Sequence, residues 1–253
     1  HSARIEAQTT ATNSGVITAG TAASITAGTS ATNTAVMTAG TNASITAGAS
    51  VTNSGTMTAN KGNASITAQE AVNNSGAMNA SAITSITAGT TANNSGEMVA
   101  GTDATINAAG NIRNEGAMTA NGGKVEIKST EGAITNAASA ALEAKRGNVT
   151  LQSKTELDNK GDAKASADVV LKSLESSVEN AGNLNATGGN ASITAKTDAR
   201  NSGTINATIG NASIAADASV NNSGTMTAGT AASITAGGSA TNTAAMTAGA
   251  NAS

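Results

Sequence analysis

The chain has no cysteine, no proline and no aromatic residue. Without cysteine there are no disulfides and no thiolate metal sites to hold it together. Without Phe, Tyr or Trp there is no stacking platform for bases or sugar rings, and any core has to be built from aliphatic side chains and methionine. The single histidine, His1, stands at the first position, which leaves nothing for an imidazole-based site. Asp158 and Asp162 do not have the spacing of a calcium loop, so neither metal nor cofactor is expected. No apolar run is long enough to span a bilayer. His1-Ser2-Ala3-Arg4 lacks an apolar signal core, so any export signal is expected outside the sequence given. A net charge of −3 argues against an electrostatic nucleic-acid partner.

What is present is mostly Ala, Thr, Ser, Asn and Gly. In a chain without a repeat, that composition would suggest disorder. Here an asparagine recurs at Asn13, Asn33, Asn53, Asn74, Asn94, Asn114, Asn136, Asn159, Asn180, Asn201, Asn222 and Asn242, in steps of 20 to 23 residues. Self-similarity at such a period is the mark of a solenoid.

Three apolar rows keep phase with the asparagines. Two residues before them stand Ala11, Ala31, Val51, Val72, Ala92, Ile112, Ile134, Leu157, Val178, Ala199, Val220 and Ala240. Four after them, in most coils, come Ile17, Met37, Met57, Met78, Met98, Met118, Leu184, Ile205, Met226 and Met246, with Leu142 and Ala163 filling two irregular coils. About twelve after them runs a row from Ile25 through Ile45, Ile66, Ile86, Ile106, Ile127, Leu151, Leu171, Ile193 and Ile214 to Ile234, and Ile5 continues it backwards.

In Ser44-Ile45-Thr46-Ala47 polar and apolar residues alternate, the period of a strand with one buried face. Ile, Val and Thr favour that state. A leucine-rich repeat has a similar period but requires far more leucine. The expected fold is therefore all-β: a right-handed parallel β-helix of about twelve coils with three short strands each. At a strand spacing of roughly 4.8 Å the rod would be about 58 Å long.

A single coil cannot stand alone. It loses on the order of 1–2 kcal/mol per residue in backbone entropy, while each buried Ile or Met returns only ~1.5–3 kcal/mol. Stability has to come from coil stacked on coil, which makes residues 1–253 one elongated domain.

Within it, residues 1–112 and 181–253 are regular, whereas residues 113–180 contain the longest coils. Nineteen of the 29 charged residues lie between Arg113 and Glu179. Ala137 to Lys145 has the propensity of a helix, but Leu142 and Leu151 hold the apolar phase. The asparagine row is expected to stack amides at one corner, and the glycines that follow it, such as Gly55 and Gly96, suit a positive φ or an absent side chain. Ala35 takes that place in one coil, so positive φ is not obligatory there.

The motif Thr-Asn-Ser-Gly-x-Met/Ile-Thr-Ala-Gly followed by Ala-Ser-Ile-Thr-Ala-Gly resembles the repeats of filamentous haemagglutinin-type adhesins, large exoproteins of bacterial two-partner secretion. The resemblance covers essentially the whole chain and rests on periodicity, with no catalytic motif. It implies a β-helical shaft exported through an outer-membrane β-barrel partner and displayed or released outside the cell. A host-cell or neighbouring-cell receptor or glycan would be the target of the whole protein. The shaft would be a monomeric rod capable of end-to-end association. Shafts of contact-dependent growth-inhibition exoproteins look the same.

The residues offer four other chemistries. Glu126, Asp158, Asp162, Asp168, Glu175 and Glu179, with Lys154, Lys160, Lys164 and Lys172, supply acids and bases for a polysaccharide-acting β-helix. No aromatic sugar platform accompanies them, and an alternating-charge surface explains them, so no enzyme is expected. Asn-x-Ser/Thr triplets begin at Asn42, Asn63, Asn73, Asn79, Asn93, Asn148, Asn185, Asn190, Asn206, Asn211, Asn221 and Asn251, a number this composition also generates by chance. Ser/Thr pairs such as Ser44/Thr46 and Ser65/Thr67 would form an outward hydroxyl array of the kind found on ice-binding solenoids, interrupted by Glu126/Lys128 and Val170/Lys172. Lys145, Arg146, Lys154, Lys160 and Lys164 form a possible binding surface for an acidic glycan or partner, against the plainer reading that their charge maintains solubility.

Overall fold

A computed structural model describes all of residues 1–253. Its strands form three parallel sheets of 13, 12 and 12 strands, and successive strands of the chain go to different sheets in strict rotation. The architecture is a parallel β-solenoid of about twelve coils. One coil consists of Ala43–Ala47, Ser50–Asn53 and Met57–Ala59. We name the sheets by their inward residues: isoleucine, asparagine and methionine.

Register is set residue on residue. Ile45 pairs with Ile66, Asn53 with Asn74 and Met57 with Met78. Ile5 lies over Ile25 as the row requires. Along each strand burial alternates, so Ala43, Ile45 and Ala47 point inward while Ser44 and Thr46 point out. Alanines flank most of the large residues of the isoleucine sheet, such as Ile45 between Ala43 and Ala47, which lets the three sheets approach closely. Ile45, Met57 and Val51 are fully buried. In the last coil, which is covered on one side, Ala240 is exposed and Met246 half-buried.

Ala137 to Lys145 forms no helix. Ala137–Ala140 make a tight corner closed by the Ala140 N–H donating to the Ala137 carbonyl at 2.9 Å. Ala141–Ala144 is a strand, with Leu142 paired to Met118 and Ala144 to Ala120. Neighbour pairing and burial of Leu142 override a weak local propensity.

Every extra residue in the longer coils lies at a corner. Between the methionine and isoleucine sheets the other corners have three residues or fewer, but 60–63, 121–124, 145–148, 187–190 and 208–211 have four. The third of the four is always glycine: Gly62, Gly123, Gly147, Gly189 or Gly210. A β-carbon on Gly62 would lie 2.2 Å from Asn42 Oδ1, and one on Gly123 2.0 Å from Asp103 Oδ1. Two four-residue corners between the isoleucine and asparagine sheets, 130–133 and 174–177, follow Ser129 and Ser173. These serines stand where other coils have a buried alanine. Ser129 Oγ accepts the Gly132 N–H at 2.9 Å, and Ser173 Oγ accepts the Ser176 N–H at 3.1 Å. The 23-residue step owes two residues to the Ala137–Ala140 corner and one to 145–148.

The glycines after the asparagines are not there for positive φ, since no residue of the chain has it. They are there for space. A β-carbon on Gly55 would come within 2.0 Å of the Ala35 carbonyl oxygen, and one on Gly116 within 1.9 Å of the Gly96 carbonyl oxygen.

Candidate functional site

The most continuous polar feature is a buried column of asparagines at the corner between the asparagine and methionine sheets. Asn13 Nδ2 donates to Asn33 Oδ1 at 2.7 Å, and the same bond repeats without a break to Asn222 and Asn242 at 2.8 Å. Through the irregular coils it runs Asn114 to Asn136 at 2.9 Å, Asn136 to Asn159 at 2.8 Å and Asn159 to Asn180 at 2.7 Å. All of these amides point the same way along the rod.

Asn94 shows the full pattern. It accepts from Asn74 at 2.7 Å, donates to Asn114 at 2.9 Å, and gives its second N–H to the Gly96 carbonyl at 3.0 Å. Both amide hydrogens and the amide oxygen are used, which is what a fully buried primary amide requires. An aspartate carboxylate could not donate at this position, and serine has one hydrogen to give where the column uses two. Asn136 differs: its ladder bonds are intact, but its corner is the enlarged Ala137–Ala140.

A second ladder was not legible from the repeat. At the corner before the isoleucine sheet, Asn42 Oδ1 accepts the Asn63 backbone N–H at 2.9 Å and Asn63 Oδ1 accepts that of Ile83 at 3.1 Å. Asp103, Asn148, Asp168, Asn190 and Asn211 do the same toward Lys124, Asp168, Asn190, Asn211 and Ala231. Asn and Asp alternate irregularly here because only an acceptor is needed. Five of the Asn-x-Ser/Thr triplets, those of Asn42, Asn63, Asn148, Asn190 and Asn211, begin on this ladder or continue it.

The five cations singled out in the sequence lie on different parts of the surface. Lys145 and Arg146 are exposed at the corner between the methionine and isoleucine sheets, and Lys164 stands beside them on the outer methionine sheet, bonded to Glu143 at 3.0 Å. Lys145, Lys164, Glu143, Ser166 and Thr187 line a shallow recess of about 200 Å³. Lys154 is at the corner between the isoleucine and asparagine sheets, 3.8 Å from Glu175. Lys160 is at the asparagine–methionine corner, where its hydrogen bond to Asp158 at 2.6 Å, and the charge of that carboxylate, raise its pKa above the ordinary lysine value.

Of the six carboxylates, all but Glu179, which makes no side-chain hydrogen bond or ion pair, are individually engaged. Glu126 meets Lys124 at 2.8 Å, Asp162 accepts the Asn183 amide at 2.8 Å, and Asp168 serves the second ladder. Asp158 Oδ1 is buried without a partner although Oδ2 holds Lys160. No three His, Asp or Glu side chains converge as a metal site would require. On the outer isoleucine sheet Ser44, Ser65 and Ser85 are in register, as are Thr46, Thr67 and Thr87. Glu126/Lys128 and Val170/Lys172 lie in the same two rows further along.

Comparison with protein-family models, with curated proteins and with solved structures finds no match, so what this chain is rests on its own geometry: a parallel β-solenoid of about twelve coils, pinned at two corners by side-chain ladders.

Proposed function

We propose that the chain is a shaft segment of a large secreted, filamentous haemagglutinin-like bacterial adhesin, and that it projects a binding or effector region away from the cell surface. The observation that carries this reading is continuity. Three sheets and one core run from Ala3 to Ala252 without a break, and the longer coils add residues only at corners. Such a body is a spacer: its length scales with coil number, and its stability is supplied locally by neighbours. The segment itself is non-enzymatic in this reading, its charged middle being a solvated surface. A cysteine-free chain built of small side chains suits export as an unfolded thread through an outer-membrane β-barrel partner, with folding outside.

The test is to delete residues 33–73, two whole coils, from the exported protein that contains this segment. Export and tip binding are expected to persist while reach shortens by about 10 Å, two strand spacings. Polysaccharide cleavage by the isolated segment, or cell binding by it equal to that of the whole protein, would overturn the reading.

A further inference from the structure

Five of the seven methionines form one unbroken column. Met37 pairs with Met57, Met57 with Met78, Met78 with Met98 and Met98 with Met118. All five are completely buried. The column then changes chemistry, because Leu142, Ala163, Leu184 and Ile205 occupy the same inward place in the next four coils. Methionine returns only at Met226 and Met246.

We propose that this column makes assembly of the coils from Met37 to Ala120 sensitive to hydroperoxides while the chain is unfolded, and insensitive once the rod has closed. The chemistry is an oxygen-atom transfer. The thioether sulfur attacks the peroxide, the O–O bond breaks, and one oxygen remains on sulfur as the sulfoxide. The other leaves as water when the oxidant is hydrogen peroxide. Sulfur loses the two electrons that the peroxide gains.

In the unfolded chain every methionine is open to this reaction. In the rod the five sulfurs lie behind complete sheets and are reached only by opening interior coils, the least frequent kind of local unfolding. A sulfoxide placed in the column would put a strong acceptor among apolar side chains. The buried asparagine amides are already committed to one another and to corner carbonyls, and the one uncommitted buried hydroxyl of the block, that of Thr84, belongs to a single coil. An unpaired polar group there opposes closure. Five adjacent coils carry the same lesion, so none has an intact neighbour within the block to stack on. The following four coils have no sulfur in this column and are spared.

The experiment uses the full chain. One sample is treated with hydrogen peroxide in denaturant, freed of peroxide and returned to native buffer, and another is treated after folding. Hydrogen exchange is then read coil by coil, with sulfoxides located by mass. In the folded rod, Met37 to Met118 are expected to oxidise more than about tenfold more slowly than the half-buried Met246. In the pre-oxidised chain, strands from Met37 to Ala120 are expected to stay unprotected while Val149–Ser153 and Val169–Ser173 regain protection. Replacing all five by leucine (Met37→Leu, Met57→Leu, Met78→Leu, Met98→Leu, Met118→Leu), or reducing the oxidised chain with methionine sulfoxide reductases, should restore the block. The proposal is overturned by protection of Met37 to Ala120 in the pre-oxidised chain, by column sulfurs that react as fast as Met246 in the folded rod, or by failure of reductase repair to restore protection.

Discussion

A β-carbon built on Gly96 would lie 2.0 Å from the carbonyl oxygen of Gly76 in the adjacent coil, although Gly96 has an ordinary backbone conformation. The Gly96 N–H also donates to the Asn74 carbonyl at 3.2 Å, which holds the two corners together. Gly15, at the same place in its coil, has nothing within 4 Å of such an atom. Gly96→Ala should therefore cost about 1–3 kcal/mol through overpacking, and Gly15→Ala should stay within about 0.5 kcal/mol of neutral. Thermal melts of the two variants compared with the parent decide it, and equal losses would show that close packing is not the reason for glycine.

Asn94→Asp probes the amide column. The carboxylate can still accept from Asn74 but has nothing to offer Asn114 Oδ1 or the Gly96 carbonyl. Burial and two facing acceptors favour the protonated acid, so its pKa in the rod should rise above the unfolded value of about 3.9. The rod would then bind more protons than the unfolded chain, and its relative stability should be greatest below that value and fall as pH rises toward the folded pKa. The parent should lack this extra slope. Melting temperatures measured from pH 3 upward that run parallel for variant and parent would count against the ladder as drawn.

Thr84 is fully buried in the place where neighbouring coils have Ala64 and Ala104, and its hydroxyl has no hydrogen-bond partner. Thr84→Val keeps the shape and removes the unsatisfied group, so it should stabilise the rod by about 1 kcal/mol, the scale of a buried polar atom left unpaired. A lower melting temperature for this variant would mean that the hydroxyl has a role the geometry does not reveal.

Ile86→Asp places an unpaired carboxylate between coils and should cost several kcal/mol, on the order of 3–5. Because stabilising contacts are between neighbours, the damage should be confined to adjacent coils. Hydrogen exchange that rises around Ile66 and Ile106 but not around Ile214 is the expected pattern, and a uniform rise would contradict it.

Much of the fold could be read from phase alone. Ile45, Val51, Asn53 and Met57 recur at fixed separations, and a parallel stack is the arrangement that lays each on its own kind. Two features were hidden. Glycine after asparagine looks the same in sequence whether it serves positive φ or close approach, and only the position of the Ala35 carbonyl over Gly55 separates them. The second ladder escaped because Asn42, Asn63, Asp103 and Asn148 vary in residue type and are displaced by four-residue corners. Aligning the chain on the start of each isoleucine-sheet strand would have exposed it. Ser129 and Ser173 carried only part of a signal, since Ser153 stands in the same column of alanines before an ordinary three-residue corner, where its hydroxyl donates to the Thr155 carbonyl. The five cations looked like one cluster in the charged stretch, but a coil turns through all three faces in about twenty residues, so neighbours in sequence are distributed around the rod.

A rod of near-identical coils faces an error that its inward columns cannot correct. Isoleucine over isoleucine and asparagine over asparagine are satisfied equally well if a coil skips its neighbour and pairs with the next one along, a known hazard of repetitive chains. The irregular corners break that degeneracy. Corner 145–148 seats Gly147 against the backbone of Gly123 in the preceding four-residue corner, and Ser129 Oγ donates to the Gly110 carbonyl at 2.7 Å. Moved by one coil, corner 145–148 would meet the three-residue corner 101–103 in place of 121–124. The least regular part of the sequence thus acts as a key that tells one coil from another, and it aligns the uniform stretches on either side.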